Sequence, residues 1–248
     1  MTRFFIPTDQ FLDDQTVALY GEDARHLTRV LRKQPGAEIT VLDGKGGEYL
    51  ARITEAGADR VTAEILEATR RLAESRVRIN LVQGMPKGEK FEWILQKNTE
   101  IGVARFQPVL TERSTVRLDP TARAKKLDRW QKIVREAAEQ SGRQLTPEID
   151  PVRDWRELAA ALRPGLMLIP WEGEREQPIK RVLAAHPEAP DEITVLIGPE
   201  GGFALDEVEA AKRWGAIPVT LGPRILRTET AGLAVATIIL YHYGEMGG

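Results

Sequence analysis

Two short β-branched runs in the last third of the chain break off into glycine-rich backbone, and they restrict its possible folds more than any other feature. Residues 193–197 run into Gly198-Pro199-Glu200-Gly201-Gly202, and residues 219–221 run into Gly222-Pro223-Arg224-Ile225-Leu226-Arg227-Thr228-Glu229-Thr230-Ala231. A helix-like pattern follows each. Strand, tight turn, helix is how an α/β sheet builds a ligand crevice at the carboxyl ends of its strands. Glycine serves there because it tolerates positive φ and lets main-chain N–H and C=O groups approach a ligand closely. The loops lie about 20 residues apart, the spacing expected for neighbouring strands joined by one helix.

The first 70 residues have a different texture. Short alternating runs at 16–20, 38–42, 48–53 and 61–65 predict strands, with Asp43-Gly44-Lys45-Gly46-Gly47 as a hairpin turn. A helix over about 23–33 interrupts them, and the whole reads as a small β-barrel. His26, Arg29 and Arg32 are spaced by three on that helix, which puts them along one face, suited to RNA or simply to solvent. A polar passage at 69–76 reads as a linker. Strands then alternate with helices, the signature of an α/β domain. A strand at 77–82 precedes a helix at 89–101 with Phe91, Ile94, Leu95 and Ile101 on its apolar side, ended by Gly102. A strand at 106–110 precedes a long helix at 121–141, with Leu127, Trp130, Val134 and Ala137 inward and Lys125, Arg129 and Lys132 outward. A short helix at 155–162 and a strand at 166–169 lead to a third strand-end loop, Pro170-Trp171-Glu172-Gly173-Glu174. The closing helix, about 230–243, is apolar almost all round, so its surface must be covered by the core or by a second subunit; the reading favours a dimer.

Composition excludes several chemistries. The chain has no cysteine, which removes disulfides, thiolate metal sites and a cysteine nucleophile. Three unclustered histidines make a metal site an unattractive reading. Gly198–Gly202 fits neither the G-x-G-x-x-G dinucleotide fingerprint nor the G-x-x-x-x-G-K-[ST] phosphate loop, which argues against a nucleotide-dependent enzyme of the doubly wound class. No secretory pattern opens the chain and no apolar run approaches a membrane span, so a cytoplasmic protein is expected. Charge is uneven: Lys and Arg against Asp and Glu number 10 to 13 over residues 1–75, 15 to 10 over 76–150, and 10 to 14 over 151–248. A basic middle band can hold a phosphate backbone although the net charge is −2, and it equally fits a solvated helix surface.

Several stretches in register resemble one family. They are Lys87-Gly88 with Gln96 to Val103, Thr111-Glu112-Arg113-Ser114, Glu136 to Ser141, Gly198 to Gly202, and Leu221-Gly222 with Ile225 to Ala231. Arg3-Phe4-Phe5, His26, Val30-Leu31-Arg32 and Leu42-Asp43-Gly44 fit as well. Together they resemble the bacterial 16S ribosomal RNA uridine N3-methyltransferase family (RsmE type) of the SPOUT superfamily, over nearly the whole chain. The resemblance implies a PUA-like β-barrel for RNA recognition (1–70), then an α/β SPOUT methyltransferase domain with a C-terminal trefoil knot (71–248). It also implies a homodimer through the C-terminal domain, and S-adenosyl-L-methionine bound by the knot loops without metal. The cofactor positions so implied are Ile169, Trp171, Ile197, Gly198, Pro199, Glu200, Gly201, Gly202, Leu221, Gly222, Ile225, Leu226, Arg227, Thr230 and Ala231.

The implied reaction moves a methyl group from a sulfonium to a ring nitrogen, an in-line displacement governed by positioning. Uracil N3 must lose its proton, and charge on the ring carbonyls must be stabilised. Arg227 is the candidate for that stabilisation. Glu229 is the candidate proton acceptor or partner of Arg227, and fits equally well as an acid in the first turn of the last helix. Glu172 and Glu200 are weaker candidates to balance the sulfonium. For 16S ribosomal RNA or the small subunit, the candidates are His26, Arg29, Arg32, Arg113, Lys125, Arg129, Lys132 and Arg143, mostly as phosphate contacts. Competing readings are a non-catalytic RNA-binding assembly factor and a SPOUT methyltransferase acting on another RNA site.

Overall fold

In the computed structural model, which describes residues 3–69, 74–116 and 119–247, the chain divides into two units. One is Met1–Glu74 with Ala138–Thr146; the other is Ser75–Ala137 with Pro147–Gly248. Of the expected linker at 69–76, residues 70–73 lie outside the described set.

The first unit is a five-stranded sheet of order β1-β3-β4-β5-β2, formed by β1 (Arg3–Phe5), β2 (Thr16–Tyr20), β3 (Glu38–Leu42), β4 (Glu48–Ala56) and β5 (Arg60–Thr69). β1 runs parallel to β3 and the remaining pairs are antiparallel. Register shifts at Leu50/Ala51 and Ile53/Glu55 bend β4, as bulges do, and let the sheet curl over Phe4, Leu19, Leu27, Ile39, Val41 and Val61. The helix expected over 23–33 is an α-helix, α1 (Gly21–Arg25), continued by a π-helical turn at His26–Val30. Bonds closing over five residues put more residues in each turn, so the spacing of three does not align His26, Arg29 and Arg32 as it would in an α-helix. Arg32 lies beyond the turn at φ 52°.

Ala138–Thr146 belongs to this unit for electrostatic reasons. The Arg3 guanidinium holds Glu48 at 3.1 and 2.8 Å and donates to Gly142 O at 3.3 Å, with both side chains below a tenth exposed. The Phe5 amide donates to Glu139 at 3.0 Å. Arg143 is buried, its guanidinium 2.7 Å from Glu74, and the same carboxylate accepts the Gln144 and Leu145 amides at 2.9 and 3.0 Å. Buried ions need such pairing to offset lost hydration. Arg143 is therefore a structural cation, and its reading as a surface RNA contact is corrected.

The second unit is a parallel sheet of order β12-β10-β11-β6-β7-β8, with a further strand, β9, beside β7. It comprises β6 (Arg78–Gly84), β7 (Arg105–Leu110), β8 (Glu148–Ile149), β9 (Arg153–Asp154), β10 (Leu166–Pro170), β11 (Glu192–Ile197) and β12 (Ile217–Val219). The helices are α2 (Lys90–Ile101), α3 (Pro120–Ser141, of which the end from Ala138 belongs to the first unit), α4 (Ile179–Ala184), α5 (Leu205–Arg213) and α6 (Thr228–His242). Trp155–Ala161 is a 3-10 helix. The spacing of the two glycine loops does not make their strands, β11 and β12, neighbours, because α5 carries the chain past β10, which lies between them.

β11 is apolar on both faces, with Ile193, Val195 and Ile197 on one side and Leu196 on the other, as a sheet covered on both faces requires. α2 buries Phe91, Ile94 and Leu95 and stops where Gly102 takes φ 111°, a left-handed cap. Phe91 meets Trp130 of α3 edge to face at 4.5 Å. α6 packs on α2, β11 and β6 through Gly232, Val235, Ala236, Ile239 and Leu240. A Cβ on Gly232 would reach 3.2 Å from Leu81, so glycine lets helix and sheet lie close. The opposite stripe of α6, with Leu233, Ala234 and Thr237, is half-buried, and Tyr241 is exposed. Among the described residues no helix is long and apolar enough to cross a membrane.

Candidate active site

Parallel pairing puts the carboxyl ends of β6, β10, β11 and β12 on one edge of the second unit. The ends of β10 and β12 are clamped together. Trp171 N donates to Val219 O at 3.1 Å, Thr220 N to Gln177 O at 2.9 Å and Ile179 N to Thr220 O at 3.1 Å. Within the β10 loop, Glu174 accepts the amides of Glu176 and Gln177 at 2.7 and 3.0 Å. The Glu176 amide is the main reason its carboxyl lies below the usual carboxylate range. Between these loops is a cavity of about 670 Å³, floored by Pro170 and Trp171 and walled by Leu221, Gly222, Ile225 and Ala231. Small-molecule sites are roughly 300–1,000 Å³. The amides of Leu221, Ile225 and Leu226 on its wall donate to nothing else among the described residues. Gly222 has φ 105° and open space where a Cβ would sit.

The β11 loop adjoins this cavity without lining it. A Cβ on Gly202, itself at φ 66°, would fall 2.7 Å from Glu172 Oε1 in the β10 loop. A Cβ on Gly84, at the end of β6, would fall 2.6 Å from Pro199 Cδ. Buried Gln83 and Thr228 tie this loop to α6: Thr228 Oγ1 donates to Gly198 O at 2.6 Å and accepts from Gln83 Nε2 at 2.9 Å.

Beside the loop stands a charge cluster. Lys90 Nζ is 3.0 Å from Glu200 Oε1 and 3.5 Å from Glu229 Oε2. Glu200 also accepts the Lys87 amide at 3.2 Å. Burial pushes the Glu200 carboxyl up, but hydrogen bonds from Lys90 and from main-chain amides outweigh it and hold it below its ordinary range. The Glu200 hydrogen bond is the chief cause that raises the Lys90 ammonium.

Of the positions expected to hold a cofactor, the cavity gathers Trp171, Leu221, Gly222, Ile225, Leu226 and Ala231. Ile169 and Ile197 are core residues of β10 and β11. Gly198, Pro199, Glu200, Gly201 and Gly202 form the adjoining loop, while Arg227 and Thr230 sit exposed at the start of α6. The Arg227 side chain makes no hydrogen bond or ion pair among the described residues, while its carbonyl accepts the Thr230 and Ala231 amides at 2.9 Å. Among the described residues the Glu229 carboxylate accepts no main-chain amide, so it does not cap α6 through a hydrogen bond. Arg113 is exposed and donates to Gly201 O at 2.9 Å, which anchors it to the β11 loop. Lys125 and Lys132 are exposed on α3, and Arg129 pairs with Glu92 of α2 at 2.7 Å. His26, Arg29 and Arg32 are exposed in the first unit. Sequence reasoning assigned no role to Lys90, Gln83 or Thr228; the last two are apolar-strand and helix-start positions whose partners are distant in the chain.

The family described as "RNA methyltransferase domain" matches residues 73–240, and that described as "RNA methyltransferase PUA domain" matches 19–66. "Ribosomal RNA small subunit methyltransferase E" of Bacillus subtilis is 33% identical, aligned over 97% of this chain and 96% of its own. The protein of that name from Synechocystis is 36% identical over 92% of this chain and 74% of its own. A crystal structure of ribosomal RNA small subunit methyltransferase E from Neisseria gonorrhoeae, bound to S-adenosyl methionine, superposes with a TM-score of 0.89 at 37% identity, covering all of both chains. The chain belongs to the RNA methyltransferase family that includes the small-subunit methyltransferase E proteins.

Proposed function

We propose that this chain is an S-adenosyl-L-methionine-dependent methyltransferase that methylates N3 of a specific uridine in 16S ribosomal RNA. The observation that carries the reading is the cavity of about 670 Å³ at the ends of β10 and β12, whose lining residues Leu221, Ile225 and Leu226 have amides that donate to nothing among the described residues. Adenine offers hydrogen-bonding edges that such amides match, and a wall containing Leu221, Ile225 and Leu226 suits an apolar ligand body. The bound cofactor would supply an electrophilic methyl group on a sulfonium. The chain's residues do the rest. The strand-end loops hold the donor in place. Arg227, charged and unpaired, stabilises negative charge on the uracil carbonyls. Glu229 takes the N3 proton.

In this reading residues 1–70 form the RNA-recognition domain and 71–248 the methyltransferase domain, its C-terminal segment threaded as a trefoil knot. The passage of the chain from β11 past β10 to β12 is compatible with such threading. Exposed Lys125 and Lys132, with His26, Arg29 and Arg32, hold RNA phosphates. The half-buried stripe of α6, Leu233, Ala234 and Thr237, with exposed Tyr241 beyond it, supports a homodimer through the C-terminal domain. The protein works in the cytoplasm, where ribosomal subunits are assembled.

The test is methyl transfer from labelled S-adenosylmethionine to small subunits lacking the modification, followed by nucleoside analysis, with Arg227→Ala alongside. N3-methyluridine from the wild type, and a loss of at least about a hundredfold in Arg227→Ala with cofactor affinity retained, is the expected result. RNA binding without any transfer would replace the enzyme reading with that of an assembly factor. A different methylated nucleoside would move the reaction to another RNA site.

A further inference from the structure

We infer that Lys90 and Glu200 form a positioning pair that tunes Glu229 for accepting the uracil N3 proton, an inference resting on the methyltransferase reading above. One ammonium stands between two carboxylates, 3.0 Å from Glu200 Oε1 and 3.5 Å from Glu229 Oε2. The two are not served equally. Glu200 holds the lysine by a hydrogen bond and takes the Lys87 amide besides. Among the described residues Glu229 Oε2 has no well-formed hydrogen bond, only the ammonium at 3.5 Å, although that oxygen is sealed from solvent and the side chain is only 18% exposed. A carboxylate oxygen without a donor, away from water, is costly to keep charged. It is eased only by the charge of Lys90 and by the amino end of α6, in whose first turn Glu229 lies.

The surroundings single out Lys90 as the cation that matters. From α2, the Glu229 carboxylate is faced by Lys90; farther along, Lys97 and Glu100 pair with each other at 2.7 Å. The β11 loop contributes Glu200, β6 contributes neutral Gln83, and the start of α6 contributes Arg227, which extends into solvent. The cluster therefore carries one negative charge too many before reaction. Proton transfer removes it. The N3–H bond breaks and its proton bonds to a Glu229 oxygen. The N3 electron pair bonds the methyl carbon, and the carbon–sulfur bond breaks with its electrons left on sulfur. Glu229 is then neutral, and Lys90 and Glu200 remain as a matched pair. The pair holds the ammonium beside the Glu229 carboxyl until substrate arrives, and the raised Lys90 ammonium and lowered Glu200 carboxyl reflect the contact between the two partners.

The experiment compares wild type, Lys90→Met, Lys90→Arg and Glu229→Gln in single-turnover methyl transfer to unmodified small subunits across pH 5–9. Cofactor affinity and thermal unfolding of each protein are measured in parallel. With the cation gone, a carboxylate keeps its proton to higher pH, so the low-pH limb of the Lys90→Met profile should move up by about one unit or more. Lys90→Arg should restore the wild-type limb. Glu229→Gln should lose roughly a hundredfold or more on the high-pH plateau and should lack the low-pH limb. A Lys90→Met rate lowered equally at all pH values, with the limb unmoved, would make Lys90 merely structural and overturn the inference. Full activity in Glu229→Gln would overturn it too, while leaving methyl transfer intact. A wild type that transfers no methyl group would instead remove the reading on which the inference stands.

Discussion

Thr228→Val tests whether the β11 loop is held to α6 by a buried hydroxyl. Valine keeps the shape of threonine and removes the oxygen that donates to Gly198 O at 2.6 Å and accepts from Gln83 Nε2 at 2.9 Å. Gly198 O is left with Gln83 Nε2 at 3.5 Å, a marginal contact, while Gln83 Nε2 retains Gly84 O at 3.0 Å. Each of the two lost bonds is worth about 1 kcal/mol net, and the stranded carbonyl adds about 1–2 kcal/mol, so the second unit should lose about 3–4 kcal/mol. All five tryptophans lie in that unit, so urea unfolding followed by their fluorescence reports on it alone. The midpoint should fall with an unchanged slope. Thr228→Ser keeps the hydroxyl and should cost about 1 kcal/mol. A valine variant within about 0.5 kcal/mol of wild type, or a serine variant as unstable as valine, would refute the hydrogen-bond account.

Gly84→Ala sets a methyl group 2.6 Å from Pro199 Cδ and 2.7 Å from its nitrogen, so the β11 loop must move; overpacking of this kind costs about 1–3 kcal/mol, read from the same unfolding curve, and an unchanged midpoint would contradict the close approach. Glu200 has a folded-state carboxyl held below its ordinary value of 4.5, so its stabilising contribution is present above that pH and is lost as pH falls through the lower folded value. Glu200→Gln should thus flatten the fall in melting temperature below about pH 5, and a parallel curve would count against the Lys90 interaction. Replacing exposed Lys125 with Ala should weaken RNA binding and reduce its log–log salt slope by about 1; an unchanged slope would remove that lysine from the phosphate contacts.

The strand-end loops were legible because apolar β-branched runs and glycine leave a local mark: β2 and β3 have the expected ends, and Gly102 ends α2 as a left-handed cap should. The order of strands was not legible. Nothing in the spacing of the two glycine loops tells that β10 intervenes between β11 and β12, since strand order is set by packing between segments far apart. The same limit hid the true place of Arg143. Its charge reads as a surface feature until Glu74, 69 positions away, is seen to cover it. The π-helical turn at His26–Val30 escaped because α and π backbones differ by one residue in hydrogen-bond span, and side-chain pattern does not resolve that difference. Lys90 escaped for a further reason: a lysine opening an amphipathic helix is ordinary, and only the convergence of the β11 loop and α6 gives it two acidic neighbours.

The account rests on the cavity between the ends of β10 and β12 being the cofactor site, and calorimetric titration with S-adenosylmethionine tests this most directly. Ala231→Phe places a ring in the cavity wall at the first turn of α6. The wild type should bind one equivalent per chain, and the variant, folded by tryptophan fluorescence, should lose affinity by about a hundredfold or more, on the order of 2.7 kcal/mol. Equal affinity in the two proteins, or no binding by the wild type, would contradict the account.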